Sequence, residues 1–292
     1  MTYHSILDNF ANYCRKFVPA EFTSQHVKKD FKEIVASSYI PKQSADYIGS
    51  LDTCYKISVG NITIYTTSHS HKKLATFCNL FASFLEYAFQ KEPRPLTIYY
   101  IPDPSLGNKK LVDATKPLSP HEINSGLNYG NTIIVYRRQE AAKVLIHELI
   151  HAYGIDHGVQ VAFPSPKLSS SVPIRFTETY TELLASILFT EFSRRADRTT
   201  AFEKLFTHFK VQADKIMCLY NYRNGTPFTQ DTHVFEYIIA KSALCQHMGA
   251  NIHHVDAILC GPKASFNTAL TKAIAHYMDR HSCGFRALPK SI

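Results

Sequence analysis

The chain has no run of about 18 uncharged apolar residues, so no membrane insertion is expected along its 292 residues. Its opening, MTYHSILDNFANYCRKF, lacks the basic-then-apolar layout of a secretory signal. No two cysteines are spaced CxxC. The seven (Cys14, Cys54, Cys78, Cys218, Cys245, Cys260 and Cys283) are odd in number and scattered, which argues against a disulfide framework and a cysteine zinc site. Reduced thiols and a cytoplasmic location are the expectation. A phosphate-binding glycine loop is missing, and no base pattern adjoins Ser125, so nucleotide binding and serine hydrolysis are poorly supported. Internal repeats, low-complexity tracts and a composition-marked linker are also lacking. The net charge is +8, yet the basic residues form only short pairs such as Lys28-Lys29, Lys109-Lys110, Arg137-Arg138 and Arg194-Arg195. That spread suits a solvated face, and no nucleic-acid partner is expected.

What is present reads as a globular protein with a large core, 45% hydrophobic and 19% charged. Apolar spacing predicts helices over 5–17 and 21–38, hence a helical N-terminal segment over 1–50. YKISVGNITIYT at 55–66 reads as a hairpin around Gly60-Asn61, and a helix is expected over 72–90, stopped by Pro93 and Pro95. LTIYYI at 96–101 and NTIIVYRR at 131–138 are the clearest strands, separated by an expected surface loop at 102–130. Beyond 139 the pattern is helical over 139–153, 174–195, 199–222, 233–248 and 265–281, with a mobile loop expected at 158–173. The fold class is α+β: a small sheet, mostly in the N-terminal half, packed against a largely helical C-terminal half. The division is 51–157 for the sheet and its following helix, and 158–292 for the helical part.

The densest chemistry lies in HELIHAYGIDH at 147–157. His147 and His151 are four residues apart on the expected helix, so both imidazoles project from one face about 40° apart and reach one ion. Ala142, Leu145, Ile146 and Leu149 lie opposite and are expected to pack on the sheet. Glu148 stands beside the pair, where its carboxylate reaches a metal-bound water without being a ligand. Zinc metallopeptidases use this arrangement to lower the water's pKa to about 7 and remove its proton.

HELIH, following the strand TIIVYRR, resembles the active-site helix of the zincin superfamily of metallopeptidases. A mitochondrial inner-membrane processing protease family has a similar HELIHAY stretch. The longer run INSGLNYGNTIIVYRRQEAAKVLIHELIHAYGIDH, with RFTETYTELLASIL after it, is similar to zincin-like proteins of large DNA viruses, over about a quarter of the chain. The resemblance implies a zincin-like sheet order, a downstream ligand helix, one Zn²⁺ ion and a peptide or protein substrate.

Two groups compete as third ligand. HELIHAYGIDH meets the metzincin pattern HExxHxxGxxH, in which Gly154 turns the chain so that His157 reaches the ion. Met217 is the candidate for the methionine turn of that class, but its apolar helical surroundings read as core. A gluzincin-like site instead takes a glutamate from a later helix, and RFTETYTELLASILFTEF supplies Glu178 and Glu182 one turn apart. That helix is apolar nearly all round, so buried carboxylates on it need cations or donors. The reading therefore favours Glu178 as ligand, Glu182 orienting a histidine and Gly154 as a helix C-cap. His233 and Tyr237 are candidate oxyanion donors, while His253, His254 and His276 lack partners at ligand spacing.

The function expected is peptide-bond hydrolysis with Glu148 as general base. The alternative is a binding or structural protein on the same scaffold, its zinc structural or absent. A closed set of His147, His151, His157 and Glu178 would favour that alternative.

Overall fold

β-branched and aromatic runs in the N-terminal half build one mixed sheet. The computed structural model describes residues 5–37, 39–106, 123–159, 168–170, 175–219, 228–230 and 233–282. Helix α1 (Ile6–Lys16) starts at Ser5, whose side chain accepts from the Asp8 N–H as an N-cap. Strand β1 (Phe22–Lys28), the single turn α2 (Lys32–Val35) and α3 (Lys42–Gly49) follow. β2 (Thr53–Val59) and β3 (Ile62–Thr66) form the hairpin expected around Gly60, which takes a positive φ of 53°. Next come α4 (His71–Phe89), β4 (Leu96–Asp103), β5 (Gly126–Tyr129) and β6 (Thr132–Arg137).

The sheet order is β1-β2-β3-β4-β6-β5. Its centre, β3, β4 and β6, is parallel, and both flanks are antiparallel. A parallel centre is covered on both faces, which explains the unbroken apolar run of β6. Ile133 and Val135 join the main core with the helices, while Ile134 and Tyr136 join a smaller core with Phe31, Ile40 and Ile48.

The helical half begins with α5 (Ala141–Ala152) and α6 (Phe176–Ser193), then α7 (Arg198–Leu219). A buried π-helical turn, Phe235–Ala240, runs into α8 (Lys241–His247), followed by α9 (Ile252–Cys260) and α10 (Lys263–Ser282). Leu145, Ile146, Leu149 and Ile150 of α5 are fully buried; each contributes roughly 1.5–3 kcal/mol of transfer free energy. Among the described residues, no helix is long and apolar enough to cross a membrane.

Three expectations are corrected. Residues 22–28 are strand rather than helix, pairing with β2 along their whole length, so the 1–50 segment is not all helix. Within the expected loop at 102–130, β4 runs on to Asp103 and Gly126–Tyr129 form an edge strand; residues 107–122 lie outside the described residues. Helix α9 was not expected. The expected mobile loop at 158–173 lies mostly outside the described residues; its Leu168–Ser170 forms a short parallel pair, β7, with β8 (Phe228–Gln230).

Candidate metal centre

Helix α5 ends in a Schellman turn. The Gly154 N–H donates to the His151 carbonyl (2.9 Å) and the Ile155 N–H to the Ile150 carbonyl (3.1 Å). Gly154 supplies the positive φ, 59°, that this turn requires. The freed carbonyls at the negative end of the helix attract cations: Arg94 Nη1 donates to Ala152 O (2.6 Å) and Lys91 Nζ to Gly154 O (3.3 Å). Helix α6 packs on α5 in the opposite sense, bringing Glu178 to His147 and His151 and Glu182 to Lys143 and His147. The histidine face of α5 is therefore not a solvent face: His147 and Glu148 are each 6% exposed.

His147, His151 and Glu178 form the group able to hold a metal ion among the described residues. The two Nε2 atoms are 3.1 Å apart, and each lies 3.4 Å from Glu178 Oε2. Zinc binds nitrogen and carboxylate oxygen at about 2.0–2.2 Å, so adjacent vertices of its tetrahedron are about 3.3–3.5 Å apart. The spacing of the three atoms thus fits one face of such a tetrahedron. Behind the pair, His147 Nδ1 lies 3.3 Å from Glu182 Oε2 and His151 Nδ1 lies 3.0 Å from Asp156 Oδ2. A carboxylate on each Nδ1–H fixes the ring and leaves Nε2 as the ligand atom.

Charge follows this geometry. Burial alone would lower both imidazoles, but neighbouring carboxylates outweigh it: Glu178 and Glu182 raise His147, while Asp156 and Glu178 hold His151 well above its usual range. Burial would likewise raise Glu178, yet the two histidines pull it well below the carboxylate range. Glu182 is also low despite its burial, because Lys143 Nζ (2.7 Å) and Lys241 Nζ (2.9 Å) both donate to its Oε1. Glu148 goes the other way, raised by burial.

His157 is exposed, its imidazole against Gly154, and is not part of the three-residue group. The same turn delivers Asp156 instead. Met217 is buried in the core. Tyr237, on the π-helical turn, lies with its ring 5.8 Å from that of His147, and burial holds its phenol well above the ordinary range. Such turns recur at functional sites. His233 Nδ1 is 3.1 Å from the buried Glu236 Oε1, which also accepts from the Arg175 N–H at the start of α6. His233 and Tyr237 share with His147, Glu148, His151 and Glu178 a cleft of about 450 Å³ whose rim is β5. Gly126 allows this rim, since a Cβ there would stand 2.7 Å from Val144 Cγ1 and 2.9 Å from Ile134 O.

Sequence reasoning missed Asp156, Lys143 and Lys241. Lys143, one turn before His147, was findable by helical spacing; Asp156 required the turn after Gly154, and Lys241 had no local signal. Comparison of the chain with family models, curated proteins and solved structures found no match in any of the three.

Proposed function

We propose that this chain is a zinc metallopeptidase on a zincin-like fold with a gluzincin-like site. In this reading His147, His151 and Glu178 hold the ion and Glu182 and Asp156 orient the two imidazoles. The observation that carries it is the tetrahedral-edge spacing of three ligand atoms whose histidines each have a carboxylate behind them. When bound, zinc supplies the Lewis acidity that brings a water's pKa near 7. Glu148 lies beside the ligands, and its burial-raised carboxyl suits a group that takes a proton from the attacking water and passes it to the leaving amine. The Tyr237 phenol, held protonated, and His233 serve as donors to the developing oxyanion. Edge strand β5 offers backbone groups to which an extended peptide adds as a further strand.

The test is to purify the protein without a histidine tag, measure zinc per chain, and screen a peptide library. Glu148→Gln is expected to keep zinc and lose turnover by about 100-fold or more. Absence of stoichiometric zinc, or turnover retained in Glu148→Gln, would sink the proposal. Zinc held without any peptide cleavage would favour the binding-protein alternative.

A further inference from the structure

A second cavity of about 110 Å³ adjoins the cleft, sharing His147, Glu148 and Tyr237 with it. Its remaining polar wall carries Lys143, Lys241, Ser125 and Gln212, with the Glu140 and Glu182 carboxylates beside the two lysines. Lys241 is 3% exposed. Among the described residues its ammonium meets Glu182 Oε1 at 2.9 Å and the Phe209 ring at 4.0 Å from the centroid. An ammonium has three N–H donors, so one acceptor and one aromatic face leave a donor unmatched. Burial accordingly pulls Lys241 below its ordinary range, whereas Lys143 also has Glu140 at 3.5 Å and is raised.

Ser125 gives an independent sign. It is 4% exposed, and its buried Oγ has no hydrogen-bond partner among the described residues. A buried hydroxyl or ammonium donor without an acceptor is costly. Gln212 adds an amide to the same wall. The unmatched groups are donors, the shared Glu182 oxygen already serves both lysines, and the space is small. A dry cavity of about 150 Å³ takes a benzene ring, so this one suits a shorter group.

We propose that this cavity is a carboxylate-binding subsite. Resting on the peptidase reading, it makes the preferred substrate one with a carboxylate next to the cleaved bond. That carboxylate comes either from an aspartate or glutamate side chain or from a free chain terminus, and it accepts from Lys241 Nζ, Ser125 Oγ and the Gln212 amide.

The test has two arms. In the first, glutarate and its neutral diamide are titrated by calorimetry into zinc-loaded and metal-stripped protein. Glutarate should bind both forms, the diamide at least about tenfold more weakly, and Ser125→Ala and Gln212→Leu should each weaken glutarate about tenfold. Ser125→Ala removes no side-chain hydrogen bond among the described residues, so its melting temperature should match wild type. Glutarate binding that requires zinc and is unchanged in both variants would overturn the subsite, because the carboxylate would then be meeting the metal. In the second arm, kcat/KM is compared for peptides with Glu or Gln flanking the bond and the terminus amidated, and for peptides with a free or amidated terminus flanking it. A preference of about tenfold for the carboxylate, reduced towards unity in Ser125→Ala, supports the proposal and identifies its source. An unchanged preference overturns it. Glutarate binding without any peptide cleavage removes the peptidase reading and leaves the subsite standing.

Discussion

Glu178 and Glu182 sit one turn apart on α6 and meet opposite surroundings. Glu182 is gripped by the ammonium groups of buried Lys241 and half-buried Lys143, and its charge is balanced within the protein. Glu178 faces two imidazole nitrogens at 3.4 Å, and among the described residues its charge is balanced by protons on those rings. On the proposed reading, two identical side chains at helical spacing divide the work, one securing the scaffold and the other holding the ion. The difference lies in which elements supply cations: Lys143 of α5 and Lys241 of α8 reach the second glutamate.

The largest effect is expected where the balance is complete. Glu182→Leu leaves buried Lys241 and half-buried Lys143 without their shared acceptor and should lose about 3–5 kcal/mol in urea denaturation, while adding Lys143→Met and Lys241→Met should recover most of it. Because the lysines hold the Glu182 carboxyl well below its usual range, its stabilisation is present above the unfolded carboxylate pKa of about 4.5 and is lost as pH falls towards the folded value. The Leu variant should therefore have a flatter acid arm in stability against pH. Glu178→Gln should reverse the pattern, costing under about 1.5 kcal/mol of metal-free stability because the imidazoles can lose protons, but reducing zinc affinity beyond the 10–100-fold typical of outer partners. Equal stability losses in the two variants would break the contrast. Asp156→Asn should weaken zinc about 10–100-fold, measured by chelator competition. His157→Ala should be smallest, within about twofold, since the exposed imidazole lies outside the ligand group; a loss as large as that of Glu178→Gln would restore His157 as ligand.

Local patterns revealed part of this arrangement. The spacing of His147 and His151, the need of Glu178 and Glu182 for partners, and the strands at 55–66, 96–101 and 131–138 were all legible because period and composition are local. Strand β1 was misread since Phe22, Val27 and Phe31 happen to fall at helix-like intervals, and the exposed Ser24, Gln25 and His26 of an edge strand carry no apolar alternation. β5 was hidden by Gly126 and Asn128, poor strand formers, held in place by pairing with β6 and close packing on α5. Lys241 was invisible because its partner is 59 residues away.

The Schellman turn after His151 also couples metal competence to the order of folding. Its carbonyls are held by Lys91 and Arg94, from the α4–β4 connection roughly sixty residues earlier, and Asp156 reaches His151 only once the turn is made. Such distant closure is slow compared with helix formation. If the chain binds zinc as proposed, its uptake during refolding would act as a clock for docking of the sheet against the helices, its tight phase lagging behind the recovery of helical signal.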